Sequence, residues 1–314
     1  MLPQVVVIGE GMVELNAAEP GSLRTVRQYA VSCGGDALNV AVAVSRLGGR
    51  PGLISRVGSD EFGSLLLDLC RSEEVDTTHV LVESSGWTGI YFVARDRDQH
   101  SFTYYRRNSA ASHLSPADVP EEMVASAQVL YVSGIAQAIS QSACDAVSHA
   151  IRVARRAQVA VAYDPNVRLK LWDTPEHARQ VMLETLASVD ILIPSYEDGQ
   201  FLTGLDAPDK IAEDLLSRGP RAVILKLGGE GVLLMTPEGL KRLAPWRVRC
   251  VDTTGAGDTF AGAFLTARVE GRSWGECADF ANAAAALSTT GCGAVAPIPK
   301  RTQVEAMLAS RGDS

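Results

Sequence analysis

Short apolar runs alternate along this chain with stretches of helical spacing, and that alternation points to an α/β architecture. Residues 4–8 are nearly all apolar and end at Gly9, which is how a strand buried on both faces reads. Residues 10–15 alternate like a half-exposed strand, and 26–32 form a further strand candidate. Strands are predicted at 51–57, 129–132, 159–163, 190–193 and 223–227, with helices near 61–71, 141–156, 175–187 and 274–288. Residues 87–94 and 101–106 alternate around the polar Asp96, Arg97, Asp98 and Gln99, which predicts a β-hairpin projecting from the main sheet. At 314 residues and 46% hydrophobic content, the chain can fill one large α/β core or two smaller ones.

Charge narrows the partners. A formal net charge of −8 argues against a nucleic acid, and an anionic substrate would need a local cationic pocket. No apolar run is long enough to span a bilayer, so no membrane partner is expected. Met1 to Gln4 lead straight into a strand without a basic region or small-residue cleavage site, so no signal peptide is expected. The six cysteines (Cys33, Cys70, Cys144, Cys250, Cys277 and Cys292) are scattered, with no CxxC, which predicts reduced thiols and a cytoplasmic protein. Ser310 to Ser314 read as a frayed tail. There is no GxxxxGK[ST], no GxGxxG followed by an acidic residue, and no GxSxG.

The most informative string is Asp252-Thr253-Thr254-Gly255-Ala256-Gly257-Asp258-Thr259-Phe260. Phe260, Ala263, Phe264 and Ala267 recur at helical spacing, so a helix opens at Gly257 or Asp258. Its first N–H groups have no partner within the helix, and side chains this small let an anion reach them. Asp258 then stands at the rim and would repel a permanently bound anion unless a hydroxyl lies between them. A phosphoryl group passed to a hydroxyl fits. GxGD alone also describes a Gly-rich helix start with an aspartate favoured by the helix dipole.

Further candidates stand in the same order as the elements. Gly34 and Gly35 precede a helix carrying Asn39 one turn in, which admits a ligand close to the backbone or makes a tight turn and cap. Tyr91, Tyr104, Tyr105, Arg106 and Arg107 cluster on the hairpin, as a ligand surface or as a solvated edge with aromatic cross-strand pairs. Asp164-Pro165-Asn166-Val167-Arg168 follows a strand's carboxyl end, where α/β sheets meet ligands. The planar fork of Arg168 suits a carboxylate, or forms an ion pair with Asp164 or Asp173. Lys226, Gly228, Gly229 and Gly231 make either a nucleotide-admitting loop or a β-turn.

Asp252 to Phe260 resembles the C-terminal signature of the ribokinase-like (PfkB) carbohydrate kinases, and Gly34-Gly35-x-x-x-Asn39 and Gly58-x-Asp60-x-x-Gly63 resemble the family's other motifs. The resemblance runs from Gly9 to Ala294. Tyr104 to Ala110 and Asp164 to Trp172 are similar to the 2-keto-3-deoxygluconate kinase branch in particular. It implies one ribokinase-like α/β domain over 1–314, a mainly parallel central sheet with helices on both faces, with a small β-sheet lid drawn from about 12–32 and 87–107. It also implies ATP and Mg2+, leaves a monovalent cation open, and implies a homo-oligomer formed through the lid. Asp258 would be the base, ionised at neutral pH from a usual value of about 3.9. The N–H groups of Gly255, Ala256 and Gly257 would hold the transferring charge. Gly34, Gly35, Asn39, Tyr91, Tyr104, Arg106 and Arg168 would bind a sugar acid, with Glu14 on a hydroxyl. Ser195, Lys226, Gly228, Gly231 and Asn282 would hold the nucleotide. Ser195-Tyr196-Glu197-Asp198 stands where the family has Asn-x-x-Glu and departs at both ends, which leaves Glu197 as a substitute and the metal ligands unassigned.

Overall fold

The computed structural model describes residues 2–96 and 99–312. The chain enters through β1 (Val5–Ile8), forms β2 (Met12–Ala17) and β3 (Tyr29–Gly34), and returns by α1 (Asp36–Arg46) to β4 (Pro51–Gly58). Then come α2 (Glu61–Ser72), β5 (Val80–Glu83), β6 (Ile90–Asp96), β7 (Gln99–Tyr105) and α3 (Glu121–Ser126). Strand and helix now alternate through β8 (Val129–Ser133), α4 (Gly134–Ala138), α5 (Gln141–Arg156), β9 (Ala160–Asp164), α6 (Pro175–Leu186), β10 (Ile191–Leu192), α7 (Tyr196–Thr203), α8 (Pro208–Ser217) and β11 (Ala222–Lys226). The hairpin β12 (Val232–Thr236) and β13 (Gly239–Leu243) precedes α9 (Ala256–Val269), α10 (Trp274–Ser288) and α11 (Arg301–Gly312).

The large sheet has nine strands in the order β13-β12-β11-β10-β9-β8-β1-β4-β5. Every pairing from β11 to β5 is parallel, and β12 and β13 add antiparallel to one edge. Strand β1 shows why both faces are covered. Val5 and Val7 point into a core shared with α1, α9 and α10, while Val6 and Ile8 point into a second core built with α5, α6 and α8. The small sheet runs β3-β2-β6-β7; its outer pairs are antiparallel and β2–β6 is parallel.

Helices α1 and α9 pack close enough to nearly touch backbones. A Cβ on Gly262 would lie 2.6 Å from Ala43 Cβ and 2.8 Å from the Val40 carbonyl oxygen. Gly35, at φ 110, lets the chain turn into α1 against β1, since a Cβ there would lie 2.6 Å from the Glu10 carbonyl oxygen. Asp60 caps α2 and also accepts from the Thr88 N–H and hydroxyl, which ties the hairpin's base to the main sheet.

Two expectations change. The tail read as frayed from Ser310 is helical to Gly312, because Val304 is buried and Met307 and Leu308 pack on the core. Residues 313–314 lie outside the described residues, as do 97 and 98 of the expected hairpin turn. Strand β5 was not anticipated; Leu81 and Val82 on it are exposed, so no burial pattern marks it. Among the described residues no helix is long and apolar enough to cross a membrane.

Candidate active site

The carboxyl ends of β1, β8, β9 and β11 and the amino ends of α1 and α9 meet on one side of the large sheet, where parallel strands and helix starts concentrate unpaired N–H groups. Gly255 caps α9 in the left-handed region at φ 74, and a Cβ there would lie 2.9 Å from the Ala294 carbonyl oxygen. Asp252 holds this mouth in shape. Its Oδ1 accepts from the Thr254 N–H and hydroxyl, and its Oδ2 accepts from the Gly293 N–H at 2.9 Å. Of the three donors expected at the mouth, the Ala256 N–H already donates to the Thr253 carbonyl at 3.2 Å. Gly255 and Gly257 N–H find no acceptor among the described residues. The hole is thus narrower than the sequence implied, because the turn that opens α9 uses its middle N–H.

Lys226, ending β11, brings an ammonium to the same place. Its Nζ sits 3.4 Å from where a Cβ on Gly257 would be and pairs with Asp164 Oδ2 at 2.6 Å. Beyond it, Gly228 has φ 56 and open space around it, as a loop that admits a ligand requires. Gly231 is needed by the turn itself, since a Cβ there would meet the Leu243 carbonyl oxygen at 2.1 Å.

Asp258 lies in the first turn of α9, and Asn39 Nδ2 donates to its Oδ2 at 2.8 Å. Burial and then the nearby Asp36 carboxyl push Asp258 up to about 7; Asp164 adds to this, while the Asn39 bond and Lys226 oppose it. This overturns the expectation of an ordinary ionised aspartate. The helix dipole is outweighed by desolvation and by like charge. Asn39 therefore holds the carboxylate directly, and its Oδ1 remains buried without a partner.

Above this floor the small sheet presents Glu14, Tyr91 and Tyr104 in one cross-strand row. Glu14 is fully buried and accepts from Tyr91 Oη, Asn16 Nδ2 and Ser32 Oγ. A Cβ on Gly34 would strike the Tyr91 hydroxyl at 2.2 Å and approach Glu14 Oε2 at 3.2 Å, so Gly34 faces that pair. Tyr104 stacks on Tyr91 at 5.5 Å between ring centroids and remains 45% exposed, available to a ligand.

The two arginines separate. Arg106 is paired with the buried Glu10 and lies 5.9 Å from the Tyr104 ring, so its charge is already matched within the protein. That corrects the expectation that both arginines offer free charge. Arg168 is exposed, donates only to the Val167 carbonyl at 2.9 Å, and has no carboxylate partner among the described residues. The alternative pairing with Asp164 does not form because Lys226 occupies Asp164. Burial raises the proton affinity of Asp36 and Tyr104, and Arg168 stays close enough to oppose that rise in both.

Two nucleotide-side expectations, Ser195 and Asn282, resolve into scaffold contacts. Ser195 Oγ caps α7 by accepting from the Asp198 N–H at 3.0 Å, and Asp198 returns the bond to the Ser195 N–H. The other oxygen of Asp198 accepts from the Val167 N–H at 2.9 Å, so this pair sets the loop that carries Arg168. Glu197 is exposed on the first turn of α7. Asn282 is buried and donates to the Ala244 carbonyl at 2.9 Å. No group of three or more His, Cys, Asp or Glu stands ready for a metal among the described residues. Glu10, Asp36, Tyr131 and Ser133 are buried beside these groups, and no local pattern marked them. Asp36 reads as an ordinary first-turn helix acid, and Tyr131 as an ordinary strand aromatic.

A resting anion could not share the mouth of α9 with Asp258, whereas one in transit to a hydroxyl could. On this fold, such a site defines the class of kinases that phosphorylate sugars with ATP. The family model described as pfkB family carbohydrate kinase matches residues 2–301, and the chain belongs to that family. It is 34% identical to a 2-dehydro-3-deoxygluconokinase of Thermoproteus tenax over 308 residues, covering 97% of this chain and 94% of that one. It is also 34% identical to the Arabidopsis thaliana protein named Probable fructokinase-2, covering 96% and 94%. Among solved structures, an E. coli protein put forward as a Ribokinase II, in complex with ATP and Mg2+, superposes with a TM-score of 0.91 at 27% identity, covering 98% of this chain and all of that one.

Proposed function

We propose that this kinase phosphorylates a sugar acid, 2-keto-3-deoxygluconate, at its terminal hydroxyl to give 2-keto-3-deoxy-6-phosphogluconate. The observation that carries the choice is Arg168, an exposed guanidinium beyond the carboxyl end of β9 without a carboxylate partner among the described residues. A neutral sugar leaves such a group without a counterpart, whereas a carboxylate engages it through two parallel hydrogen bonds. The Thermoproteus tenax relative supports the same substrate class.

In this reading Gly34, Gly35, Tyr91 and Tyr104 hold the sugar chain, with Glu14 and Asn39 shaping the pocket beneath it. Arg106, fixed by Glu10, lines the wall beside Tyr104. The N–H groups of Gly255 and Gly257 and the Lys226 ammonium receive the developing phosphoryl charge; one such donor is typically worth about 3 kcal/mol. Asp258 orients the hydroxyl and takes its proton late in a loose transition state. The open loop at Gly228 admits the nucleotide, and Ser195 and Asn282 support the walls around it. Magnesium, which binds phosphates through few protein ligands, would arrive with ATP and neutralise phosphate charge.

The small sheet acts as a lid of the single domain and excludes water. Its exposed Val31 and Tyr105 and its unpaired edges at β3 and β7 support pairing with a second copy. A cytoplasmic location, where ATP is at hand, belongs to the same reading.

A neutral-sugar kinase is the second reading. It is favoured by the fructokinase relative at equal identity and by the neutralisation of Arg106. A silent sugar-binding regulator is the third, and the intact Asp258 speaks against it. ADP release measured with a panel of sugars and sugar acids, for wild type and Arg168→Ala, separates them. An acid kinase turns over the keto-acid best, and Arg168→Ala raises its KM about a hundredfold or more, as loss of a charge-assisted fork does. An unmoved KM rejects the sugar acid, and trace turnover with every sugar rejects the enzyme.

A further inference from the structure

Asp36 opens α1, is 6% exposed, and makes no ion pair among the described residues. Ser133, at the end of β8, donates its hydroxyl to Asp36 Oδ2. One turn along the same helix, Asn39 donates to Asp258 at 2.8 Å. A single turn of α1 therefore carries both the amide that grips Asp258 and a second buried carboxyl.

The groups acting on Asp258 come from every element around it: Asp36 and Asn39 on α1, Asp164 on β9, Lys226 on β11, Tyr91 on β6 and Tyr131 on β8. Lys226 and Asp164 are paired at 2.6 Å and largely cancel. Burial keeps both tyrosines neutral by raising their hydroxyls far above the working range. Asp36 is left as the carboxyl acting on Asp258 without an ion-pair partner among the described residues; burial raises its own proton affinity, and the Ser133 hydrogen bond and then Arg106 and Arg168 oppose that rise. The groups acting on Asp36 in turn are Glu10, Arg106, Arg168, Asp258 and Tyr131. Arg106 is matched by Glu10. The Tyr131 hydroxyl is buried in the same region with no hydrogen-bond partner.

We propose that Asp36 is a positioning residue for phosphoryl transfer: it is buried on the turn of α1 whose Asn39 grips Asp258, and from there it determines when Asp258 is free to act as the base. This rests on Asp258 being the base. As the new P–O bond forms and the bond to the departing ADP oxygen breaks, the hydroxyl proton passes to Asp258. That transfer requires Asp258 to be charged, which a protonated Asp36 favours. Two carboxyls that act on one another titrate together, and the behaviour of either depends on the other.

Asp36→Asn keeps the shape and the Ser133 partner and removes the charge. With 13C-labelled aspartate, the Asp258 carboxyl is assigned by its loss in Asp258→Asn and titrated in wild type and variant without substrate, so the identity of the sugar does not enter. The midpoint of Asp258 is expected to fall by about one pH unit in Asp36→Asn. With the best phosphoryl acceptor, the acid limb of kcat/KM should move equally, giving about fivefold more of the plateau rate at pH 6. An unmoved midpoint overturns the proposal. So does a raised sugar KM with an unshifted limb, which would make Asp36 a hydroxyl contact only. Should Asp36→Asn fail to fold, Asp36→Ser carries the same titration. Failure of the keto-acid as substrate would leave the titration result standing.

Discussion

Asn39 on α1 donates to Asp258 on α9 across 2.8 Å, joining positions 219 residues apart. The contact exists because the two helices approach almost backbone to backbone at Gly262, so a packing feature in the core sets the aim of a carboxyl in the pocket.

Filling that contact should be felt at the site. Gly262→Ala would place a Cβ 2.6 Å from Ala43 Cβ and 2.8 Å from a backbone oxygen, so the helices must part. Overpacking of this kind costs about 1–3 kcal/mol. We expect a lower denaturation midpoint and a kcat that falls more than either KM changes. Unchanged kcat at reduced stability would show that α1 does not aim Asp258.

Asp258→Asn is expected to lower kcat by about a hundred- to ten-thousand-fold, as loss of a general base does, with sugar binding retained by calorimetry. Since the charged form is the base, wild-type kcat/KM should rise with pH through an acid limb near 7, where burial and Asp36 have moved this group. A limb near pH 4 would mean that bound ligands restore the ordinary value.

The same displacement has a sign in stability. A carboxyl raised from its ordinary value of 3.8 to about 7 contributes stability that is complete below about pH 4 and lost as pH climbs through 7. Asp258→Asn cannot ionise. Melting temperatures between pH 4 and 8 should therefore fall less in the variant than in wild type, and parallel curves would contradict the shift.

Lys226 faces two ways, toward Asp164 and toward the mouth of α9. Lys226→Met should raise the KM for ATP and also destabilise the fold by about 3–5 kcal/mol, because the buried Asp164 carboxylate loses its ion-pair partner. Adding Asp164→Asn should restore the melting temperature while leaving ATP binding weak. If the double variant binds ATP normally, Lys226 serves only the ion pair.

Much of the architecture was legible because it is written in periodicity. The run at residues 4–8 became β1, and the helix expected at 141–156 is α5. The terminal helix was missed although Val304, Met307 and Leu308 carry helical spacing, since three apolar residues among many polar ones are a faint signal until the core they cover is known. At the site, Gly35 and Gly255 could be singled out because their backbone demands are local and only glycine meets them. The pairing of Arg106 with Glu10 and of Lys226 with Asp164 could not, since each joins distant elements.

What the sequence determined alone is therefore the alternation of strands and helices, the small-residue mouth before α9, and the residue types gathered at strand ends. These follow from conformational preferences and spacing within a few residues. Tertiary structure decided which charges survive. It left Arg168 without a carboxylate partner among the described residues, matched Arg106 with Glu10, used the Ala256 N–H in a turn, and set Asp258 near Asp36 under burial. Those outcomes depend on desolvation and on through-space neighbours, which only the folded arrangement of distant segments supplies.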